Sequence, residues 1–115
     1  AIAAARSGAK VGYFAHLGED RFGRDFLHLW DREGVDRSAV RLVEGGRTGI
    51  YFITYGPGGH EFTYARAGSA PSLVTPADLP LDLIAGSKVL HVSGISQAIS
   101  SGAADAVFAA IRHAK

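Results

Sequence analysis

The side chains best suited to chemistry are those of three tyrosines and an arginine in one stretch of the chain: Tyr51, Tyr55, Tyr64 and Arg66. An arginine guanidinium can donate two parallel hydrogen bonds to a carboxylate or a phosphate. A tyrosine offers an apolar ring with a polar hydroxyl at its end. If the fold places the tyrosines and the arginine together, their side chains can bind a small anionic ligand that carries hydroxyl groups. The alternative is a half-buried hairpin whose Tyr and Arg side chains simply lie at the solvent edge.

A β-hairpin is the element that must position these side chains. Residues 50–55 and 61–66 are rich in aromatic and β-branched residues, and they flank the Gly/Pro-rich tip at residues 56–59. This pattern predicts two antiparallel strands joined by a short loop. Because side chains alternate between the two faces of a strand, two sets should each share a face. They are Tyr51, Ile53 and Tyr55 on the first strand, and Phe62, Tyr64 and Arg66 on the second.

Composition restricts the class of protein. The chain has 115 residues, a formal net charge of +1 and no run of basic residues, so a nucleic-acid partner is not indicated. The absence of cysteine excludes a disulfide framework or thiolate metal site in these residues and suits a reducing cytoplasm. No apolar run has the length of a membrane span, and no signal-peptide pattern is present. The sequence lacks Met and begins and ends within predicted helices, so we expect an internal piece of a longer protein.

Helices and mostly apolar strands alternate along the chain. The helices are predicted over residues 1–7, 21–33, 75–85 and 102–115, and the strands over residues 10–16, 39–43 and 88–92, with a turn at 93–96. This alternation predicts an α/β fold with a parallel sheet covered by helices. The hairpin interrupts the pattern, so we expect a lid over the sheet edge at which such folds bind ligands. The resulting division assigns residues 1–37 and 71–115 to the α/β core and residues 38–70 to the lid.

Apolar residues at helical spacing predict the faces that two of these helices bury. They are Phe22, Phe26, Leu29 and Trp30 on the second helix, and Ala104, Val107, Phe108 and Ile111 on the last. Asp20 lies directly before the second helix and is expected to cap its N-terminus. A contact between Asp20 and a substrate or a metal is the alternative for this residue.

Motifs of several other enzyme classes are missing or incomplete. The glycine-rich tip lacks the Lys and Ser/Thr of a phosphate-binding loop, and no Gly-x-Gly-x-x-Gly opens a helix. His16 and His91 lie at or near the ends of predicted strands, but two histidines without a third ligand make a poor zinc site. Ser93, His91 and Asp105 lack the Gly-x-Ser-x-Gly context of a nucleophile elbow. These observations disfavour nicotinamide, zinc and hydrolase chemistry.

The first 40 residues resemble the ribokinase-like carbohydrate kinases, the PfkB family. Ala1, Gly8 and Gly18 have the spacing of three points in that family's N-terminal signature. The segment GEDRFGRDFLHLWDREGVDRSAV is similar to the stretch that follows the signature, and Thr48-Gly49 is similar to the start of the family's lid. The resemblance implies part of a ribokinase-like three-layer α/β/α fold with an inserted β lid.

The resemblance also implies an activity. The family transfers the γ-phosphoryl group of ATP to a sugar hydroxyl with the help of Mg²⁺. The catalytic base and the anion hole of family members come from a C-terminal Gly-Ala-Gly-Asp loop, and this sequence has no such loop and no distal ATP-binding region. The resemblance therefore implies no catalytic, cofactor-binding or metal-binding residue within these 115 residues, which we expect to be inactive alone.

A shorter segment, YARAGSAPS, is similar to one in the family members that phosphorylate the sugar acid 2-keto-3-deoxygluconate. In that subgroup a Tyr-x-Arg pair followed by Ser-Ala binds the acid, which implies that Tyr64 and Arg66 bind the substrate. By the same resemblance, Tyr51 contacts the substrate from the neighbouring lid strand and Ile95 lines the cavity wall. Ribokinase and fructokinase activities stay open, because related sugar kinases also carry an Arg near this point.

A second class of function stays open beside the kinase. The chain can be a non-catalytic module that binds a ligand or dimerises, with the Tyr/Arg face as its interface. Strands at the edge of a sheet invite pairing with another chain. In either class we therefore expect a homo-oligomer that assembles through the lid.

Overall fold

A computed structural model describes all 115 residues of the chain. Five helices and four strands are present, together with two short 3₁₀ segments at Ala70–Leu73 and Pro76–Asp78. In chain order they are α1 (Ile2–Arg6), β1 (Ala15–Gly18), α2 (Arg21–Arg32), β2 (Val40–Val43), β3 (Ile50–Gly56), β4 (Gly59–Ala65), α3 (Leu81–Ala85), α4 (Gly94–Ala98) and α5 (Ser101–His113). The predicted mixture of helices and strands and the predicted hairpin are confirmed.

A parallel pair of strands forms the centre of the first half of the chain. β1 pairs with β2 in the register that sets Ala15 opposite Val40 and Gly18 opposite Val43. Helix α2 makes the crossover between them, as parallel strands require. Leu17, Trp30 and Val35 form a buried apolar cluster behind this pair. Strand β2 lies within the range predicted for the lid, residues 38–70, yet it pairs with a core strand; the division into core and lid stays a prediction.

Strand β1 is shorter than predicted and lies further along the chain. The predicted range was residues 10–16, whereas the strand runs from Ala15 to Gly18. Its partner β2 has only four residues, so a continuous ladder can form only opposite them. Before this ladder a single bridge joins Gly12 to Asp36.

The helix predicted over residues 75–85 is interrupted. Thr75 and Asp78 form a capping box, with the carboxylate of Asp78 accepting from the amide and hydroxyl of Thr75 at 2.8 Å each. Only a 3₁₀ turn follows it, and α3 starts afresh at Leu81. Pro80 explains the break, because proline holds the residue before it, here Leu79, in an extended conformation and lacks an amide hydrogen.

The strand predicted over residues 88–92 is absent, and this prediction is wrong for the structure of these 115 residues. The segment is irregular, and the side chain of Val89 is 81% exposed. A strand exists only where a neighbour satisfies its amides and carbonyls, and none of the four strands pairs with this segment. The turn predicted at residues 93–96 is instead the start of α4.

The predicted buried faces of α2 and α5 are partly wrong. Trp30 is buried, but Phe22 and Phe26 are 52% and 41% exposed. The face that α2 turns inward carries Gly23, because a Cβ there would clash with the backbone oxygen of Gly18. On α5 Val107 is buried as predicted, whereas Phe108 is 52% exposed. The buried residues of α5 are Ala103, Ala106, Val107 and Ala110.

Candidate functional site

The predicted hairpin is confirmed, and its pairing brings the two predicted sets of side chains onto one face. β3 and β4 are antiparallel, with Tyr51 opposite Tyr64 and Ile53 opposite Phe62. Residues directly opposite each other in a sheet point to the same side. Arg66 follows β4 in the same alternation. Tyr51, Phe62, Tyr64 and Arg66 therefore form one surface, which we call the tyrosine–arginine face.

The side chains of this face are in mutual contact. The ring centroids of Tyr51 and Tyr64 are 6.2 Å apart, and that of Phe62 lies 5.9 Å from Tyr51. The guanidinium carbon of Arg66 lies 4.6 Å from the ring centroid of Tyr64, which is a cation–π geometry. The structure thus brings together three of the four residues implicated by resemblance.

The tyrosine–arginine face is open to a ligand. Tyr51 and Tyr64 are 54% and 57% exposed, whereas Arg66 is half-buried. A half-buried guanidinium is less solvated than a free one, so a charge-assisted pair with a carboxylate gains more there. The phenolic hydroxyls of the two tyrosines on the same face can donate to, or accept from, the hydroxyl groups of a sugar. The arrangement is suited to a small sugar acid.

Ile95, the fourth predicted residue, lies elsewhere in the chain. It belongs to α4, which packs against α5, and its side chain is 63% exposed. The structure gives α4 no extended interface with the hairpin. The role of Ile95 as part of a cavity wall stays a prediction.

Asp20 acts as the predicted helix cap and also holds the entry of the hairpin. Its Oδ1 accepts from the amide of Gly23 in the first turn of α2 at 2.8 Å. The same carboxylate accepts from the amide of Thr48 at 2.7 Å and from the hydroxyl of Thr48 at 2.8 Å. Burial raises the pKa of Asp20, but the hydrogen bonds from Thr48 and Gly23 together bring it below its ordinary value of 3.8. Sequence reasoning missed Thr48, for which the only signal was the Thr-Gly pair before β3.

A second polar cluster lies on one face of the β1–β2 pair. His16 and Arg41 are opposite each other in the register, and Asp78 lies between them, 3.9 Å from Nε2 of His16 and 4.0 Å from the Arg41 guanidinium. An open cavity of about 350 Å³ borders these three residues. No group of three or more metal-ligating side chains occurs among the 115 residues. This cluster therefore offers charge and hydrogen bonds but no metal site.

The burial of His16 predicts a pH dependence of stability. Burial lowers the pKa of His16 below its ordinary value of 6.5, with Arg41 adding to the effect and Asp78 opposing it. Below pH 6.5 the imidazole of His16 is therefore mostly protonated in the unfolded chain but stays neutral to lower pH in the folded chain. The free energy of unfolding should fall as the pH drops from about 7 toward 5, and His16→Gln should make that fall shallower.

Chemical unfolding of the full-length protein at several pH values measures this effect. His28→Gln, which changes an exposed histidine on α2, is the matched control and should leave the pH dependence as in the wild type. Equal slopes for the wild type and His16→Gln would contradict the prediction.

Comparison with known proteins identifies the class to which this chain belongs, the carbohydrate kinases. The model of the pfkB family carbohydrate kinases matches residues 1–115, and the chain belongs to that family. A 2-dehydro-3-deoxygluconokinase from Thermoproteus tenax is 39% identical over an alignment of 117 positions, which covers 99% of this chain and 36% of that protein. Fructokinase-2 from Solanum lycopersicum is also 39% identical, over 97 aligned residues that cover 84% of this chain and 30% of that protein.

The structural comparison confirms the predicted ribokinase-like α/β fold. The crystal structure of a PfkB protein from Polaromonas sp. JS666 superposes with a TM-score of 0.89 at 32% sequence identity. The match covers 97% of this chain and 38% of that one. The chain thus spans about a third of the length of these relatives, from 30% to 38%. None of its helices is both long and apolar enough to cross a membrane.

Proposed function

We propose that the full-length protein is an ATP-dependent kinase of a sugar acid, with 2-keto-3-deoxygluconate as its substrate. The observation that carries the proposal is the tyrosine–arginine face, on which a half-buried Arg66 lies over the ring of Tyr64 and that ring is next to the ring of Tyr51. A neutral sugar has no group that needs a guanidinium, whereas a sugar carboxylate can accept two parallel hydrogen bonds from one. One relative is named 2-dehydro-3-deoxygluconokinase, and 2-dehydro-3-deoxygluconate is another name for 2-keto-3-deoxygluconate. This relative supports the choice of substrate.

Three residues of the face, together with Ile95, have a role in the proposal. Arg66 binds the carboxylate of the substrate and fixes its orientation. Tyr51 and Tyr64 form hydrogen bonds with sugar hydroxyls, and their rings cover the apolar side of the sugar. Ile95 would contribute apolar surface from the other side of the cavity. Held in this way, the hydroxyl to be phosphorylated is presented in a fixed position, which accounts for a large part of phosphoryl-transfer catalysis.

The chain in hand contributes binding rather than the phosphoryl-transfer groups. Mg²⁺–ATP supplies the transferable phosphoryl group when it is bound. No cluster of carboxylates suited to Mg²⁺ occurs in these residues, so we assign ATP, Mg²⁺ and the catalytic base to parts of the full-length protein outside them. A hairpin lid over the sugar would also exclude water, which otherwise competes with the sugar for the phosphoryl group.

We propose that the protein works in the cytoplasm as a homo-oligomer that forms through the hairpin. A two-stranded sheet exposed on both faces is marginally stable by itself. Phe52, on the face opposite the tyrosines, is 55% exposed, and each strand has one unpaired edge. Pairing of hairpins from two subunits would cover these groups. A monomeric mass in light scattering at micromolar concentration would contradict this part of the proposal.

A substrate screen of the full-length protein tests the proposed activity. ADP release is measured with ATP and Mg²⁺ and, in separate reactions, with 2-keto-3-deoxygluconate, fructose, ribose and adenosine. We expect turnover with the sugar acid and a much lower kcat/KM for the neutral sugars. A preference for fructose, the sugar in the name of the Solanum lycopersicum relative, would support a kinase activity but contradict the acidic substrate. Ligand binding without any turnover would favour the non-catalytic module.

A further inference from the structure

The hairpin is exposed along its whole length, but its base is buried. Every residue of β3 and β4 except Ile50 is exposed. At the base, Thr48, Ser69 and Ala70 are only 5%, 1% and 0% exposed. An element without packing on either face takes its orientation from its attachment, so the buried base must determine where the tyrosine–arginine face points.

On the β3 side, Thr48 is the attachment. Its amide donates to Oδ2 of Asp20 at 2.7 Å, and its hydroxyl donates to Oδ1 of the same carboxylate at 2.8 Å. The hydroxyl oxygen also accepts from the amide of Gly18, the last residue of β1, at 3.0 Å. Three hydrogen bonds of a buried residue thus join the entry of the hairpin to the corner between β1 and α2.

On the β4 side, Ser69 holds the backbone of Arg66 itself. The carbonyl oxygen of Arg66 accepts from the amide of Ser69 at 3.1 Å and from its hydroxyl at 2.5 Å. The turn between them has Gly68 at a φ of +67°, a conformation that favours glycine. The amide of Ala70 then donates to the carbonyl of Arg47 at 2.8 Å and closes the base across to the β3 side.

We infer that Thr48 and Ser69 are positioning residues, which fix the base of the hairpin on both sides so that Arg66 meets the carboxylate of the substrate. The inference rests on the proposed function for the identity of the substrate, but the geometry of the base does not depend on it. Neither hydroxyl lies on the tyrosine–arginine face, so each acts through Arg66 and not by touching the ligand. Selectivity for acidic sugars then depends on two buried hydroxyl groups outside the binding surface.

Thr48→Val in the full-length protein removes the hydroxyl while keeping the branched shape of the side chain. The amide of Gly18 loses its partner and one oxygen of Asp20 loses a donor, so the attachment should loosen. We expect the ratio of kcat/KM for 2-keto-3-deoxygluconate to that for fructose to fall by about 3- to 10-fold, since displaced tyrosines weaken the binding of both sugars but a displaced guanidinium weakens that of the acid alone. Thr48→Ser retains the hydroxyl and should restore the ratio.

A second readout does not require turnover. Hydrogen exchange of the amides in β3 and β4 should become faster by about 10-fold or more in Thr48→Val but not in Thr48→Ser. Ser69→Ala removes the hydroxyl on the β4 side of the base. It should change the ratio of kcat/KM values and the rates of amide exchange in the same direction as Thr48→Val. This variant provides the test if Thr48→Val does not fold.

The outcomes separate the two proposals. If the wild type does not prefer the sugar acid, the proposed substrate is wrong, and the exchange rates alone decide whether the base anchors the hairpin. If the wild type prefers the acid, an unchanged ratio in Thr48→Val and Ser69→Ala overturns the inference. An equal loss of activity with both sugars would likewise overturn it, because it would indicate a merely structural role.

Discussion

Replacing Arg66 with alanine in the full-length protein should raise the KM for 2-keto-3-deoxygluconate by roughly 10- to 100-fold, the effect of losing a charge-assisted bidentate pair. Arg66 is half-buried and stacks on Tyr64 at 4.6 Å, so its guanidinium is held in place before the ligand arrives. A preorganised donor loses little conformational entropy on binding, which places the expected effect well above that of an exposed cation.

Two further variants sharpen this prediction. Arg66→Lys keeps the charge but loses the planar fork, so it should recover only part of the affinity. Arg32→Ala removes an equally charged, exposed residue from the end of α2 and controls for the change in net charge. The KM for fructose should change by less than about 3-fold in Arg66→Ala, because a neutral sugar forms no such charged pair. Equal increases in KM for the acid and for fructose would contradict the carboxylate role of Arg66.

The hairpin could be predicted from the sequence because its determinants are local. Alternation fixes which residues share a face, and the short Gly/Pro tip fixes the register that sets Tyr51 opposite Tyr64. The cap formed by Asp20 was equally predictable, since an aspartate directly before an amphipathic run needs only the neighbouring amides. Patterns that span a few residues therefore gave the candidate site.

The errors lie where the outcome depends on distant parts of the chain. An apolar run such as residues 88–92 indicates that a strand is possible, but only a neighbouring strand makes it one, and none pairs with it here. The inward face of α2 is set by the close contact between Gly23 and Gly18, which no helical periodicity reveals. Thr48 was missed for the same reason, because its partner Asp20 is 28 residues away.

Gly18→Ala should be among the most damaging small substitutions in the chain. A Cβ at Gly18 would overlap the amide nitrogen of Thr48, the carbonyl carbon of Arg47 and the carbonyl oxygen of Gly46. These are backbone atoms and cannot rotate away as a side chain can. The φ of Gly18 is not positive, so alanine can adopt its backbone conformation and the whole cost comes from this contact. We expect a loss of about 3 kcal/mol or more in the free energy of unfolding.

Chemical denaturation of the full-length protein measures that loss, with Gly58→Ala as the matched control. Gly58 lies in the hairpin tip, has no atom within 4 Å of the position that a Cβ would take and has no positive φ, so its substitution should cost less than about 0.5 kcal/mol. A loss of similar size in both variants would mean that Gly18 serves only for flexibility. A larger loss in Gly18→Ala would show that the absence of a side chain at Gly18 lets the base of the hairpin pack against the end of β1. There the amide of Gly18 donates to the hydroxyl of Thr48. Gly18, one point of the spacing that resembles the family signature, would then have a physical cause in the attachment of the hairpin.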